Sequence, residues 1–193
     1  MRPRALVAAL LLVAIGWLAW RSQLWTVARP GERPRPLALH ADAARRPVHI
    51  DVTLPSVPVG MEHLESGRGV LLVHYWAPWE HSSREQAALL DSLRQLPEMQ
   101  GLRVVVVCFD PFPSVARFVA RQRLRLSVLM DGRGQLRASL PCPSVPYTYV
   151  LDGSGHLAVD QPGEVDWLSE ATRAVLRGLL EEPAAPALPA PTL

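Results

Sequence analysis

A chain of 193 residues has room for one ordinary domain plus appendages, and a core of about 120 to 140 residues folds without disulfide staples. The net charge of +2, with arginine as the only Lys/Arg type, leaves no nucleic-acid footprint. The densest basic stretch, Arg117, Arg121, Arg123 and Arg125, reads as the solvated face of one helix and the loop after it. Two cysteines make neither a disulfide framework nor, by their spacing, a zinc site.

After Met1-Arg-Pro-Arg4 comes "ALVAALLLVAIGWLAW", an uncharged run of sixteen residues. As a helix it spans about 24 Å, and the next turn through Trp25 brings it to the length of a membrane crossing. Trp17, Trp20 and Trp25 suit the interfacial belt. A cleaved signal peptide is the other reading, with Ala14-Ile15-Gly16 as the cleavage site, but that site lies inside the apolar run and leaves Trp17 at the new terminus. Residues 1–25 are therefore expected to be an uncleaved anchor. Positive charge alone, Arg21, Arg29, Arg33 and Arg35 against Arg2 and Arg4, places the following segment in the cytoplasm.

Residues 26–47, rich in Pro and Arg, read as an extended tether, and 182–193 as a disordered Pro/Ala tail. One domain, 48–181, lies between. Val48–Leu54 alternates like an edge strand, ahead of a Pro-marked loop at Pro55–Pro58. Val70–Tyr75 is a nearly continuous apolar run, of the kind buried on both faces of a sheet. Ser82-Ser83-Arg84-Glu85 matches a capping box, and Leu89, Leu90, Leu93 and Leu96 give the helix its stripe until Pro97 ends it. "LRVVVVCF" is a strand by its β-branched run, and Ser114–Arg123 a helix. "SVLMD" reads as a short strand, "DGRG" as a turn, and "YTYVLD-GSG-HLAVD" as a hairpin. The last helix is expected over 164–180, with Trp167, Leu168, Ala171, Val175 and Leu179 on one side. The order predicts an α/β sandwich whose mixed central sheet is flanked by helices.

Three stretches, "LLVHYWAPW", "SVPYTYVLDGSGHL" and "LPSVPVGMEHLESGRGVLLV", resemble the thioredoxin-like superfamily, most closely its membrane-anchored TlpA/ResA-type branch. The first resembles the strand that runs into Trp-Ala-x-Trp. The second resembles the loop, cis-proline and hairpin, with Pro146 at the cis position, and the third the lead-in hairpin. The resemblance covers most of residues 50–180. It implies a single-pass protein of the inner membrane, its domain facing the periplasm or outer surface, with thiol-disulfide exchange as the family activity and no cofactor.

This chain departs from the family at the Cys-x-x-Cys position, which reads Glu80-His81-Ser82-Ser83. Exchange needs an attacking thiolate and a leaving sulfur, and neither a carboxylate nor a hydroxyl supplies them. A serine nucleophile needs an oriented base, which adjacent residues at a helix start do not offer. His74, His81 and Cys142 lack the paired spacing of a metal site, so none is expected. The resemblance leaves a partner-binding edge, where the backbone of Val145 beside Pro146 pairs with an extended protein segment and Trp76 and Trp79 flank the groove. The alternative is a residual oxidoreductase using Cys142, and with it Cys108, since the strand ends and the proline loop share one edge in that fold.

Overall fold

The computed structural model describes residues 26–27, 33–58 and 60–183. The expected anchor, 1–25, and most of the expected tail lie outside the described residues, among which no helix is long and apolar enough to cross a membrane.

The strands are β1 (Thr26–Val27), β2 (Asp51–Val57), β3 (Gly60–Glu65), β4 (Leu71–Tyr75), β5 (Arg103–Cys108), β6 (Val128–Met130), β7 (Ser144–Val145), β8 (Tyr147–Leu151) and β9 (Leu157–Pro162). The helices are α1 (His81–Leu93), α2 (Phe112–Gln122), α3 (Gln135–Ser139) and α4 (Glu170–Glu181). Seven strands form one mixed sheet in the order β3-β2-β6-β5-β4-β8-β9, with β4, β5 and β6 parallel and the other pairs antiparallel. β1 and β7 form a separate parallel pair.

All five residues of β4 are buried. Leu72 shares one core layer with Ala87, Leu90 and Leu93 of α1, Val115, Phe118 and Val119 of α2, and Leu176 and Leu179 of α4. Leu71, Val73 and Tyr75 share the opposite layer with Leu136 of α3, Leu140, and Val48 and Ile50 of the lead-in. That two-sided burial is why the run reads as continuous apolar rather than alternating.

Several boundaries differ from expectation. The expected edge strand is β2, which begins later, runs through Pro55, and is paired on both sides; β3 takes the edge instead. α1 begins at His81 with Glu80 as its cap, not with a serine cap and Glu85 reaching back; Glu85 lies 3.2 Å from the His81 Nε2. The last helix starts six residues later than expected, at Glu170, capped by Ser169. Residues 164–168 are held outside it because Gln86 of α1 bonds both the N–H and the carbonyl of Val165, at 2.9 and 3.0 Å. That clamp buries Trp167 in the core ahead of the helix. The expected "DGRG" turn runs straight into α3, whose first N–H groups, of Gln135 and Arg137, donate to the Asp131 carboxylate at 2.6 and 2.9 Å.

The stretch 33–47 has no α-helix and lies along the domain. Arg35 bridges to Val165, the Leu37 N–H donates to Thr172, and the Ala38 N–H to Gln161. Arg45 joins Asp42, Asp152 and Glu182 at 2.8, 3.3 and 2.7 Å, fastening this stretch to the hairpin turn and the end of α4.

His74, in the middle of β4, is fully buried. Its Nδ1 lies 3.0 Å from the Thr148 hydroxyl, and its ring stands edge-on to Trp167. Burial lowers its pKa from an ordinary 6.5 to about 3. The folded state therefore refuses a proton that the unfolded state takes up below about pH 6.5, so stability falls from there down to about pH 3, by at most about 5 kcal/mol. Acid titrations of the wild type and His74→Asn, followed by urea unfolding, should show a flatter stability profile for the variant across that window.

Candidate functional site

The site forms where β4 ends and α1 begins. The Trp76 N–H continues the ladder to the Val107 carbonyl at 3.0 Å, and the Glu80 N–H closes a turn onto the Ala77 carbonyl at 3.2 Å. This tight turn turns Trp79 outward, leaving it 54% exposed, while Trp76 packs against Phe118 with ring centroids 4.6 Å apart. Trp76 is thus a wall of the site rather than a surface residue, being fully buried.

Across from this turn lies β7, followed by Pro146 through a cis bond. A cavity of about 380 Å³ joins the two, lined by Trp76, Ala77, Trp79, Phe109, Asp110, Pro111 and Val145. Trp79 and Val145, which the sequence reading set at one edge, thus share a single cavity. A shallower groove of about 680 Å³ continues past Phe109, Asp110 and Pro111 to Met61 and Phe112, both more than half exposed. The residues missed in the sequence are this Phe109-Asp110-Pro111 wall. Its signal was available, since the loop that follows the C-terminal end of a parallel strand is where α/β sheets build their crevices.

At the helix mouth the Glu80 carboxylate accepts the Ser83 N–H at 2.5 Å and the Ser82 hydroxyl at 2.7 Å. Partial burial works to raise the Glu80 pKa, but hydrogen bonds from Ser82 and Ser83 outweigh it and hold the group below the usual carboxylate range. Ser83 is fully buried, with no hydrogen-bond partner for its hydroxyl among the described residues. His81 is exposed and turned to Glu85 and Arg84. No serine is therefore paired with this histidine, and the group lacks the geometry of a hydrolytic nucleophile.

The two thiols lie in different core layers, Cys108 with the α1/α2/α4 layer and Cys142 with the α3 layer. Both are free and buried. The Cys108 S–H donates to Asp110 at 3.4 Å, and burial raises its pKa far above the usual thiol range. Cys142 donates to the Ser144 carbonyl at 3.1 Å, and burial pushes its pKa up to about 12. The thiolate that exchange requires is scarce at both positions. The weak metal set is not assembled either, since His74 lies against Trp167 in the helix-bearing layer and Cys142 in the other.

No protein-family model matches the chain, and no curated protein does. Solved structures do. A secreted thiol-disulfide isomerase from Corynebacterium glutamicum is 20% identical, with a TM-score of 0.64, over 82% of this chain and 98% of that one. A protein described as thiol:disulfide interchange protein DsbE, from Chlorobium tepidum, is 21% identical, with a TM-score of 0.62, over 70% of this chain and 97% of that one. StoA from Bacillus subtilis is 15% identical, with a TM-score of 0.57, over 70% and 100%.

The cap makes a direct prediction. Glu80→Ala should cost about 1 kcal/mol in urea unfolding at pH 7. Because the folded pKa is lowered, the contribution is complete above about pH 4.5 and fades as pH falls through the lowered value, so the gap between wild type and variant should shrink in acid. From its sheet, its helix mouth and its proline loop, this chain carries a domain with the thioredoxin-like fold of thiol-disulfide oxidoreductases.

Proposed function

We propose that this is a membrane-tethered, extracytoplasmic thioredoxin-like protein that binds an extended segment of a protein partner across the Trp79 and Val145-Pro146 edge, without exchanging disulfides. The observation that carries the reading is the helix mouth itself. At the position where the family places two cysteines, Glu80 is engaged as a cap and Ser83 is buried. The remaining thiols are withdrawn into separate layers and held protonated by burial.

What the site retains suits binding. An exposed indole stands beside a strand backbone over an apolar cavity, and strand addition with a side-chain anchor needs no sulfur. On the far side of Trp79 a second groove carries Arg84, Arg117 and Arg121 against the single acid Asp110. That charge favours a partner segment with an acidic residue beyond its apolar anchor.

The full chain, carrying a photo-crosslinking amino acid in place of Trp79, should give one discrete protein adduct in its own membranes. The same group at the exposed Leu168 should give none. With the partner identified, Trp79→Ala should weaken binding about tenfold or more, as expected for a central aromatic anchor. The absence of an adduct from position 79 overturns the reading. So does insulin-disulfide turnover by the full chain that Cys142→Ser abolishes, which would establish the residual oxidoreductase instead.

A further inference from the structure

The binding edge already has a strand on it. β7 pairs with β1 in parallel, Thr26 opposite Ser144 and Val27 opposite Val145, and with no other strand among the described residues. The neighbouring backbone is satisfied from within, the Gly163 N–H donating to the Pro146 carbonyl at 2.9 Å. The chain then meets the domain again beside that same loop, where the Arg35 N–H donates to the Glu164 carbonyl and the Asp166 N–H to the Arg35 carbonyl, at 3.2 and 2.9 Å. From there the anchoring contacts of Leu37, Ala38 and Arg45 fix it in place. A chain of ten residues reaches at most about 35 Å, so the count from Thr26 to Arg35 sets a short leash from a fixed point to the edge.

We propose that the β7 edge is a parallel-strand acceptor whose resident occupant is the chain's own Thr26–Val27, and that a partner segment adds in the same direction by displacing it. The partner half of this statement rests on the proposed function; the self-pairing half does not. A two-residue strand offers few backbone hydrogen bonds, each worth about 1 kcal/mol net. A short leash supplies an effective concentration in the millimolar range. Weak pairing multiplied by high local concentration gives an occupant that covers the edge when it is empty and yields to a longer strand. Partner binding is thereby tuned by the segment directly following the predicted membrane anchor.

The test uses the full chain in nanodiscs, comparing wild type with a variant carrying both Thr26→Pro and Val27→Pro, which removes both N–H donors of β1. Hydrogen exchange over residues 142–146 should quicken about tenfold in the variant, with exchange in β4 unchanged as the check on folding. A fluorescent peptide spanning Leu24–Arg29 should bind the variant about threefold or more tighter than the wild type. Exchange that does not change overturns the proposal, and if the crosslink from position 79 persists, the proposed function survives it. Faster exchange with no peptide binding to either protein overturns displacement. If the crosslink is then also missing from both proteins, the partner reading has failed on its own while the self-pairing stands.

Discussion

Burial of β4 on both faces is the constraint from which the rest follows. A strand with no solvent side must be followed by a turn that leaves the sheet at its end, and here Ala77-Pro78-Trp79 makes that exit before α1 begins. The turn lifts one indole into solvent and leaves the other in the core, so the two tryptophans of one short motif acquire different roles. The same two-sided burial requires helices on one face and α3 with the lead-in on the other, and this assigns Cys108 and Cys142 to opposite layers. The two thiols are free and buried in separate layers, Cys108 at the end of β5 and Cys142 on the loop before β7.

The helix mouth carries partial positive charge from unpaired N–H groups. In a thiol enzyme that field stabilises a thiolate. Here a carboxylate, already ionised at neutral pH, takes it up and is further fixed by the Ser82 hydroxyl. A field that serves as a structural cap is no longer available to activate a nucleophile. This favours a site whose surviving assets are shape and backbone: an apolar cavity, an exposed ring and a strand edge.

Most of the fold was legible because its signals are local. The period of "LRVVVVCF", the glycine turn of the hairpin and the apolar run of β4 each declare their element within a few residues. What escaped was decided by tertiary contacts. Trp167 sits at helical spacing from its neighbours, yet the Gln86 clamp holds Val165 in a β-bridge and Trp167 follows in a turn, ahead of the helix. Capping propensity ranks Ser high and points to a serine cap, but Glu80, two residues before Ser82, accepts the Ser83 N–H and brings a full charge. At the site, Trp79 and Val145 were legible through the resemblance, whereas Phe109, Asp110 and Pro111 join them only through strand order.

The parallel pairing of β1 with β7 gives the start of the tether a contact with the domain beyond mere reach. A free linker would contribute reach alone, and its length would trade only slowly against binding. Under the proposed displacement, a linker paired with the strand edge at Thr26–Val27 and fixed to the domain from Arg35 onward would act as a competitor whose strength is set by geometry. Lengthening residues between the two fixed points would dilute it, and stiffening them in the paired direction would strengthen it, with no change to the edge itself. By sequence, Pro30, Pro34 and Pro36 oppose a helix in this stretch, and Thr26 and Val27 are β-branched. The composition that marks 26–47 as a tether therefore also equips its first residues to act as a strand.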